Sequence, residues 1–247
     1  MATRDLVWDG CINVRDLGGL PTEDGGETRF GSVIRADSVG HLTAEGWQTL
    51  VGMGVTRIVD LRQDFEQAGD PPRDLAFEIV HVPIFEDLAD ETWATVQELS
   101  ETAPTHAESQ RRVYLFFLEQ ACTRFGAAVA AVAGAPEGTV VVHCHAGKDR
   151  TGLVSALLLR LAGVPAAAIA VDYALSGERL RQRHEEWVAT AADDAERARI
   201  ERIAATPAEA MRAVVEAIDE QYGGVGGYLL RSGLDRAAIR RARSRLR

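Results

Sequence analysis

Residues 143–152 of the chain have the sequence HCHAGKDRTG and lie between two apolar segments of different character. Residues 139–142, which precede them, form a short β-branched run that predicts a buried strand. Residues 153–161, which follow, are rich in leucine and predict a helix. The stretch is therefore predicted to be a turn from a strand into a helix. Backbone N–H groups and the positive end of the helix converge on one point in such a turn, which suits an anion.

The residue types within this turn suit phosphoryl transfer. Cys144 and Arg150 are separated by five residues. A helix N-terminus and a nearby guanidinium both favour the thiolate form of a cysteine, which is the nucleophilic form. The planar fork of Arg150 matches two oxygens of a phosphoryl group. We expect Gly147 to let the backbone approach the ligand closely, and Thr151 to offer its hydroxyl to the departing sulfur.

The motif His-Cys-x5-Arg-Thr-Gly resembles that of the cysteine-based tyrosine phosphatase superfamily. Four further motifs narrow the resemblance to the bacterial tyrosine/serine phosphatase family, that of the mycobacterial protein tyrosine phosphatase B. They are NVRDLGG at residues 13–19, DLR at 60–62, DY at 172–173 and YGGVGGYL at 222–229. The resemblance implies an α/β cysteine-phosphatase fold, with a central, mostly parallel sheet of four to five strands flanked by helices and a short helical lid.

The resemblance also implies roles for the residues of the site. Cys144 is the expected nucleophile, and Arg150 is expected to bind the equatorial phosphoryl oxygens. The expected substrate-binding residues are His145, Ala146, Gly147, Lys148 and Thr151, and the expected supporting residues are His143, Arg15 and Arg62. The family is expected to have an apolar aromatic residue at the position of His145, so the shape of the pocket differs here.

The general acid has three candidates. Asp60 follows the second predicted strand and is the first choice by the resemblance. Asp149 lies inside the turn itself, and Asp87 follows a strand and a proline, where dual-specificity phosphatases often place their acid. The sequence contains no Trp-Pro-Asp loop of the kind found in animal tyrosine phosphatases, so all three stay open.

Other patterns along the chain predict the remaining elements. Residues 32–36, 55–61 and 78–83 are predicted strands, and Thr43 is the predicted N-cap of the first helix. Residues 113–132 have apolar side chains at helical spacing and predict one long helix. Further helices are predicted at residues 165–175, 178–192 and 207–222. The acidic segment 86–110 is the expected lid.

Composition limits the class of protein. The chain has 247 residues, of which 46% are apolar, and we predict one catalytic domain spanning residues 1–247. No apolar run is long enough to cross a membrane, and no apolar signal segment is present near residue 1. Cys11, Cys122 and Cys144 show neither disulfide nor metal spacing, which favours a reducing, cytoplasmic location. The net charge of −10 disfavours nucleic acid as a partner. The expected chemistry requires no cofactor and no metal.

Several functions fit these patterns. The first is a protein-tyrosine phosphatase, with phosphoserine and phosphothreonine as further substrates, acting through a phosphocysteine intermediate. The second is a phosphoinositide or inositol phosphate phosphatase, because residues 146–152 resemble the loop of lipid 3-phosphatases. In a phosphoinositide phosphatase, Lys148, the only lysine of the chain, would bind an additional phosphate group of the substrate. A rhodanese-like sulfurtransferase is a remote alternative. The arginine-rich residues 235–247 are expected to be a solvated helix end rather than a membrane contact, and the oligomeric state is not predicted.

Overall fold

The structure is a computed structural model that describes residues 3–70, 75–86 and 88–247. A five-stranded sheet forms the centre of this part of the chain. The strands are β1 (Arg15–Asp16), β2 (Val33–Ala36), β3 (Val55–Asp60), β4 (Glu78–His81) and β5 (Thr139–His143). Their order is β1-β2-β5-β3-β4, and only β1 is antiparallel to its neighbour. The predicted α/β class and mostly parallel sheet are confirmed.

Strand β5 lies in the middle of the sheet and is buried along its whole length. Val140 and Val142 belong to the larger hydrophobic cluster, whereas Val141 belongs to the smaller one. A strand with apolar neighbours on both faces has a continuous apolar sequence instead of an alternating one, which explains the valine run. The register pairs His143 with Ala36 on one side and with Asp60 on the other. The ends of three parallel strands therefore meet at one edge, where α/β enzymes place their chemistry.

Helices cover both faces of the sheet. In the described residues they are α1 (Ala44–Gly52), α2 (Asp64–Gln67), α3 (Asp90–Glu101), α4 (His106–Gln120), α5 (Cys122–Ala133), α6 (Asp149–Leu161), α7 (Ala166–Arg179), α8 (Arg181–Ala189), α9 (Asp194–Ala204), α10 (Ala208–Tyr222), α11 (Val225–Arg231) and α12 (Arg236–Arg245). The side chain of Thr43 accepts a hydrogen bond from the backbone N–H of Gly46, so the predicted N-cap of α1 is confirmed.

The prediction of one helix over residues 113–132 is wrong. The chain forms α4 and α5, which meet at Ala121 with a bend of 80°. The apolar spacing continues across the bend because both helices pack on the same core, and the break contains neither proline nor glycine. Within the described ranges, no single helix is long and apolar enough to cross a membrane, and only this bent pair reaches that length and composition together.

Helices α9 and α11 were not predicted. Helix α9 is short of apolar residues, and only Ile200 and Ala204 are buried in it. Helix α11 lies within a glycine-rich segment, which predicts a loop rather than a helix. The predicted lid segment contains α3 and the start of α4. The single domain over residues 1–247 stays a prediction, although Arg4 contacts Asp172 and Arg247 contacts Asp24, which ties both ends of the chain to the fold.

Candidate active site

Cys144 lies directly after β5, and helix α6 begins five residues later at Asp149. The cysteine is only 2% exposed, so its thiol lies at the bottom of the turn. The first N–H groups of an α-helix have no partner within the helix. Those of α6 therefore add to the anion-binding capacity of the turn formed by residues 144–149, which we call the phosphate loop.

Three carbonyl groups of the phosphate loop accept hydrogen bonds from residues outside the loop. The N–H of Ser38 donates to His145 O at 3.0 Å, Asn13 Nδ2 donates to Ala146 O at 2.9 Å, and Arg35 Nη2 donates to Gly147 O at 2.7 Å. In a trans peptide the N–H points opposite to the C=O. Because three successive carbonyls point outward, the N–H groups of residues 146–148 face the interior of the loop, as an oxyanion requires.

Gly147 has a φ of +66°, in the left-handed region that favours glycine. A Cβ atom at this position would lie 2.4 Å from the carbonyl oxygen of Ala36. The expectation that Gly147 allows close approach to the ligand stays a prediction. The close approach that the structure shows is to the end of β2, and it brings the loop against the edge of the sheet.

Arg150 forms a two-pronged ion pair with Glu66 of α2. Its Nη1 lies 2.5 Å from Oε2 of Glu66, and its Nη2 lies 2.7 Å from Oε1. Burial raises the pKa of Glu66, but the hydrogen bonds from Arg150 and from the backbone of Gln63 outweigh it and hold that pKa below its usual range. The guanidinium also lies 5.7 Å from the ring centre of Phe85. Glu66 thus occupies the edge formed by Nη1 and Nη2, which leaves the edge formed by Nε–H and the second N–H of Nη2 for a phosphoryl group.

Asp60 has an environment unlike that of a general acid. It is 2% exposed, and both of its oxygens accept hydrogen bonds from Arg62. Burial raises its pKa, while His143 and Arg62 lower it by more, so the carboxylate stays ionised. An ionised, enclosed carboxylate has no proton to donate to a substrate. The first choice of acid from sequence is therefore not supported by the position of Asp60, and Asp87 lies outside the described residues.

Asp149 is the first residue of α6 and is partly exposed. Its Oδ1 accepts hydrogen bonds from Tyr114 Oη at 2.5 Å and from Gln110 Nε2 at 3.2 Å. Asp149 and Arg150 line the same cavity, which has a volume of about 610 Å³. Its walls also include Phe85, Trp93, Val96, Val113, Phe117, Arg199, Arg202 and Ile203. A carboxylate and a guanidinium therefore face one largely aromatic and aliphatic chamber beside the phosphate loop.

Lys148 is not positioned as the expected substrate-binding residue. Only 3% of it is exposed, and its ammonium donates to the carbonyl oxygen of Ile203 in α9. The same nitrogen lies 3.4 Å from Asp149 Oδ1. In this conformation Lys148 joins the phosphate loop to α9 and does not line the cavity.

The remaining residues expected in or near the loop differ in exposure. His143 is fully buried, and its Nε2 lies 3.5 Å from Asp60 Oδ2. His145 is exposed, and its ring centre lies 6.0 Å from that of His41. Burial lowers the pKa of His145, and Glu66 only partly opposes this. The hydroxyl of Thr151 is buried and has no hydrogen-bond partner in the described part of the chain, so the expected bond to the sulfur is not formed here.

Arg15 belongs to a buried cluster of charges behind the loop. Arg15 Nε lies 3.0 Å from Asp172 Oδ1, Arg35 Nη1 lies 2.9 Å from Oδ2, and Arg4 also contacts this carboxylate. Burial raises the pKa of Asp172, but the three arginines hold it well below its usual range. Because Arg35 also donates to Gly147 O, the cluster supports the phosphate loop directly.

Sequence reasoning gave no role to two residues that contact the site. Glu66 follows the second predicted strand, and its position four residues after Arg62 is the only signal in the sequence. Tyr114 had no signal, because a tyrosine within an apolar helical pattern is indistinguishable from a core residue. Its hydroxyl group nevertheless bonds directly to Asp149.

A model of the tyrosine phosphatase family matches residues 6–247. The chain belongs to this family. It is 30% identical to the triple specificity protein phosphatase PtpB of Mycobacterium tuberculosis, over 98% of each protein. It is also 29% identical to a tyrosine-protein phosphatase of Nostoc commune, over 86% of this chain and 73% of the relative.

Membership of the family makes the chain an enzyme of the protein-tyrosine phosphatase class, with phosphorylated proteins as its substrates. The resemblance found in the sequence is thereby confirmed. The sulfurtransferase alternative has no support from these matches.

Proposed function

We propose that the protein hydrolyses phosphotyrosine in proteins through a phosphocysteine intermediate, with Cys144 as nucleophile, Arg150 as phosphoryl-binding residue and Asp149 as general acid. One observation carries the proposal. The outward-held carbonyls turn the N–H groups of residues 146–148 to the interior of the loop that begins at Cys144, and Asp149 and Arg150, at the end of this turn, line one cavity together.

In the first step the thiolate of Cys144 attacks phosphorus, in line with the leaving oxygen. The S–P bond forms as the P–O bond breaks, and Asp149 gives its proton to the phenolate oxygen. The loop N–H groups and the guanidinium of Arg150 hold the three equatorial oxygens while charge redistributes over them.

In the second step a water molecule attacks the phosphorus of phosphocysteine. The ionised Asp149 accepts a proton from this water, the S–P bond breaks, and inorganic phosphate leaves. The thiolate of Cys144 is regenerated. The buried hydroxyl of Thr151 is one residue beyond Arg150 and is suited to donate to the sulfur as it departs.

The cavity supports a broad range of leaving groups. A volume of about 610 Å³ exceeds what one phenol ring fills, so the size of the cavity does not restrict the leaving group to tyrosine. Lys148, which would bind the additional phosphate of a phosphoinositide, donates from its ammonium to Ile203 O instead. We therefore place lipid substrates second to phosphoproteins. The free thiols of all three cysteines support a reducing, cytoplasmic setting, in which Cys144 stays reduced.

The test is phosphate release from a phosphotyrosine peptide, the matching phosphoserine peptide and a phosphatidylinositol phosphate, measured side by side. We expect the highest kcat/KM on the phosphotyrosine peptide and loss of all activity in Cys144→Ser. Cys122→Ser is the matched control and should retain activity, because Cys122 belongs to α5. A higher kcat/KM on the lipid would make the protein a phosphoinositide phosphatase, and release by Cys144→Ser would overturn the mechanism.

A further inference from the structure

Two tyrosines that have no part in the chemistry above form a hydrogen-bonded series with Asp149. Tyr114 of α4 lies 2.5 Å from Asp149 Oδ1, and the hydroxyl oxygens of Tyr114 and Tyr173 are 2.8 Å apart. Both tyrosines are 1% exposed. A buried hydroxyl group is costly to leave without a partner, so these bonds are maintained in the folded protein.

The number of protons on the two tyrosines determines which group donates each hydrogen bond of the series. Burial and the negative charge of Asp149 raise the pKa of both Tyr114 and Tyr173 well above the usual value for tyrosine, so both keep their protons. A tyrosine has a single proton to donate. Because Tyr114 donates its proton to Asp149, the bond between the two hydroxyls must be donated by Tyr173.

We propose that Tyr114, oriented by Tyr173, is a positioning residue for Asp149, fixing Oδ1 as an acceptor so that Oδ2 carries the transferable proton. Gln110 supports the same arrangement, because its Nε2 also donates to Oδ1. A carboxyl group that accepts two hydrogen bonds on one oxygen cannot hold its proton there without losing a bond. This inference rests on the proposed function, since it assigns an orientation to the general acid named there.

Other charged and titratable groups surround Asp149. From its own turn these are Lys148 and Arg150, and from the helices around it they are Glu101 of α3, His184 of α8, and Arg199 and Arg202 of α9. None of these is changed by removing the hydroxyl group of Tyr114. A change in the pH profile after that removal therefore reports the bond itself.

The test compares Tyr114→Phe with the wild type on two substrates. Phenyl phosphate has a poor leaving group that needs a proton, whereas 4-nitrophenyl phosphate leaves readily without one. We expect kcat on phenyl phosphate to fall about tenfold further than kcat on 4-nitrophenyl phosphate, the size of one lost hydrogen bond to a charged group. We also expect the basic limb of the pH profile of kcat to move to higher pH, because the lost donor stabilised the ionised carboxylate.

Tyr228→Phe is the matched control. Tyr228 is also a fully buried tyrosine, and its hydroxyl donates to Leu118 O at 2.8 Å, away from Asp149. Gln110→Met removes the other donor to Oδ1 and should act in the same direction if Tyr114→Phe does not fold. If Tyr114→Phe lowers kcat equally on both substrates and leaves the basic limb of the pH profile unmoved, Tyr114 contributes only packing. That result would overturn the inference.

A double-mutant cycle separates the inference from the proposed function. If Tyr114 acts through Asp149, Tyr114→Phe should have almost no further effect in an Asp149→Asn background. Full additivity would overturn the positioning role and leave the acid assignment intact. Asp149→Asn with an unchanged ratio between the two substrates would overturn the acid assignment itself, and absence of phosphate release from wild type would overturn the phosphatase mechanism.

Discussion

Replacing Glu66 by glutamine tests whether Arg150 needs its ion pair with Glu66 in order to bind a phosphoryl group. The two side chains are 12% and 13% exposed and share two hydrogen bonds of 2.5 and 2.7 Å. A hydrogen bond to a charged group contributes about 1.5–3 kcal/mol, and partial exposure places this pair toward the lower part of that range. Glutamine keeps one acceptor but no charge, so we take the loss as about 2 kcal/mol. A tenfold change in rate corresponds to about 1.4 kcal/mol, so kcat/KM should fall about 30-fold.

The assay is kcat/KM on a phosphotyrosine peptide together with the inhibition constant of inorganic phosphate. In Glu66→Gln, kcat/KM should fall and the inhibition constant of phosphate should rise in parallel, because both depend on how tightly Arg150 binds a phosphoryl group. Glu78→Gln is the control, since Glu78 pairs with Arg57 at a carboxylate that is 61% exposed, and its effect should stay below about twofold. Tighter phosphate inhibition in Glu66→Gln would refute the reasoning, because it would mean that Glu66 competes with the phosphoryl group for Arg150.

Three further predictions concern Asp60, Asp172 and Gly147. Asp60→Asn should lower the free energy of unfolding by about 3 kcal/mol, because Arg62 then keeps only its partly exposed acidic partner, Asp70. The basic limb of the pH profile of kcat should remain, and its loss would restore Asp60 as the acid. Asp172→Asn should cost about 3–5 kcal/mol in urea unfolding. The pKa of Asp172 in the folded protein is lowered below the unfolded value of about 3.9, so the stabilisation from its charge is present above that pH. This stabilisation is lost as the pH falls toward the folded pKa. The free energy of unfolding should therefore depend less on pH in the acid range in the variant than in the wild type. Gly147→Ala should lower kcat/KM about 100-fold through displacement of the loop, whereas Gly163→Ala, also at positive φ but with nothing within 4 Å of the new Cβ, should lose only about 1 kcal/mol of stability and no activity.

The sheet and the phosphate loop could be predicted because their signals are local. The valine run of β5 and the leucine-rich α6 bracket the loop, and the character of each segment is visible within a few residues. The bend at Ala121 could not be predicted, since it depends on how α4 and α5 pack on the core and not on any residue at the break.

The partners of the site residues were harder to predict for the same physical reason. Asp60 lies at the end of a strand, as a general acid would, but the direction of its side chain depends on Arg62 two residues later. Lys148 has a charge suited to phosphate, but its ammonium is bonded to α9, a helix 55 residues away in sequence. Such pairings follow from tertiary packing, which one sequence does not record.

The positions of the Asp172 cluster along the chain also predict an order of events during folding. Asp172 is 137 residues beyond Arg35 and 157 residues beyond Arg15, so these contacts are among the most distant along the chain. Contacts of this range form late, because a long loop must close before they stabilise anything. During synthesis, β5 and Cys144 are added to the chain before Asp172. A nascent chain that ends before α7 therefore has the nucleophile but lacks the carboxylate that holds Arg35 against Gly147. We therefore expect no phosphatase activity from a chain truncated before Asp172.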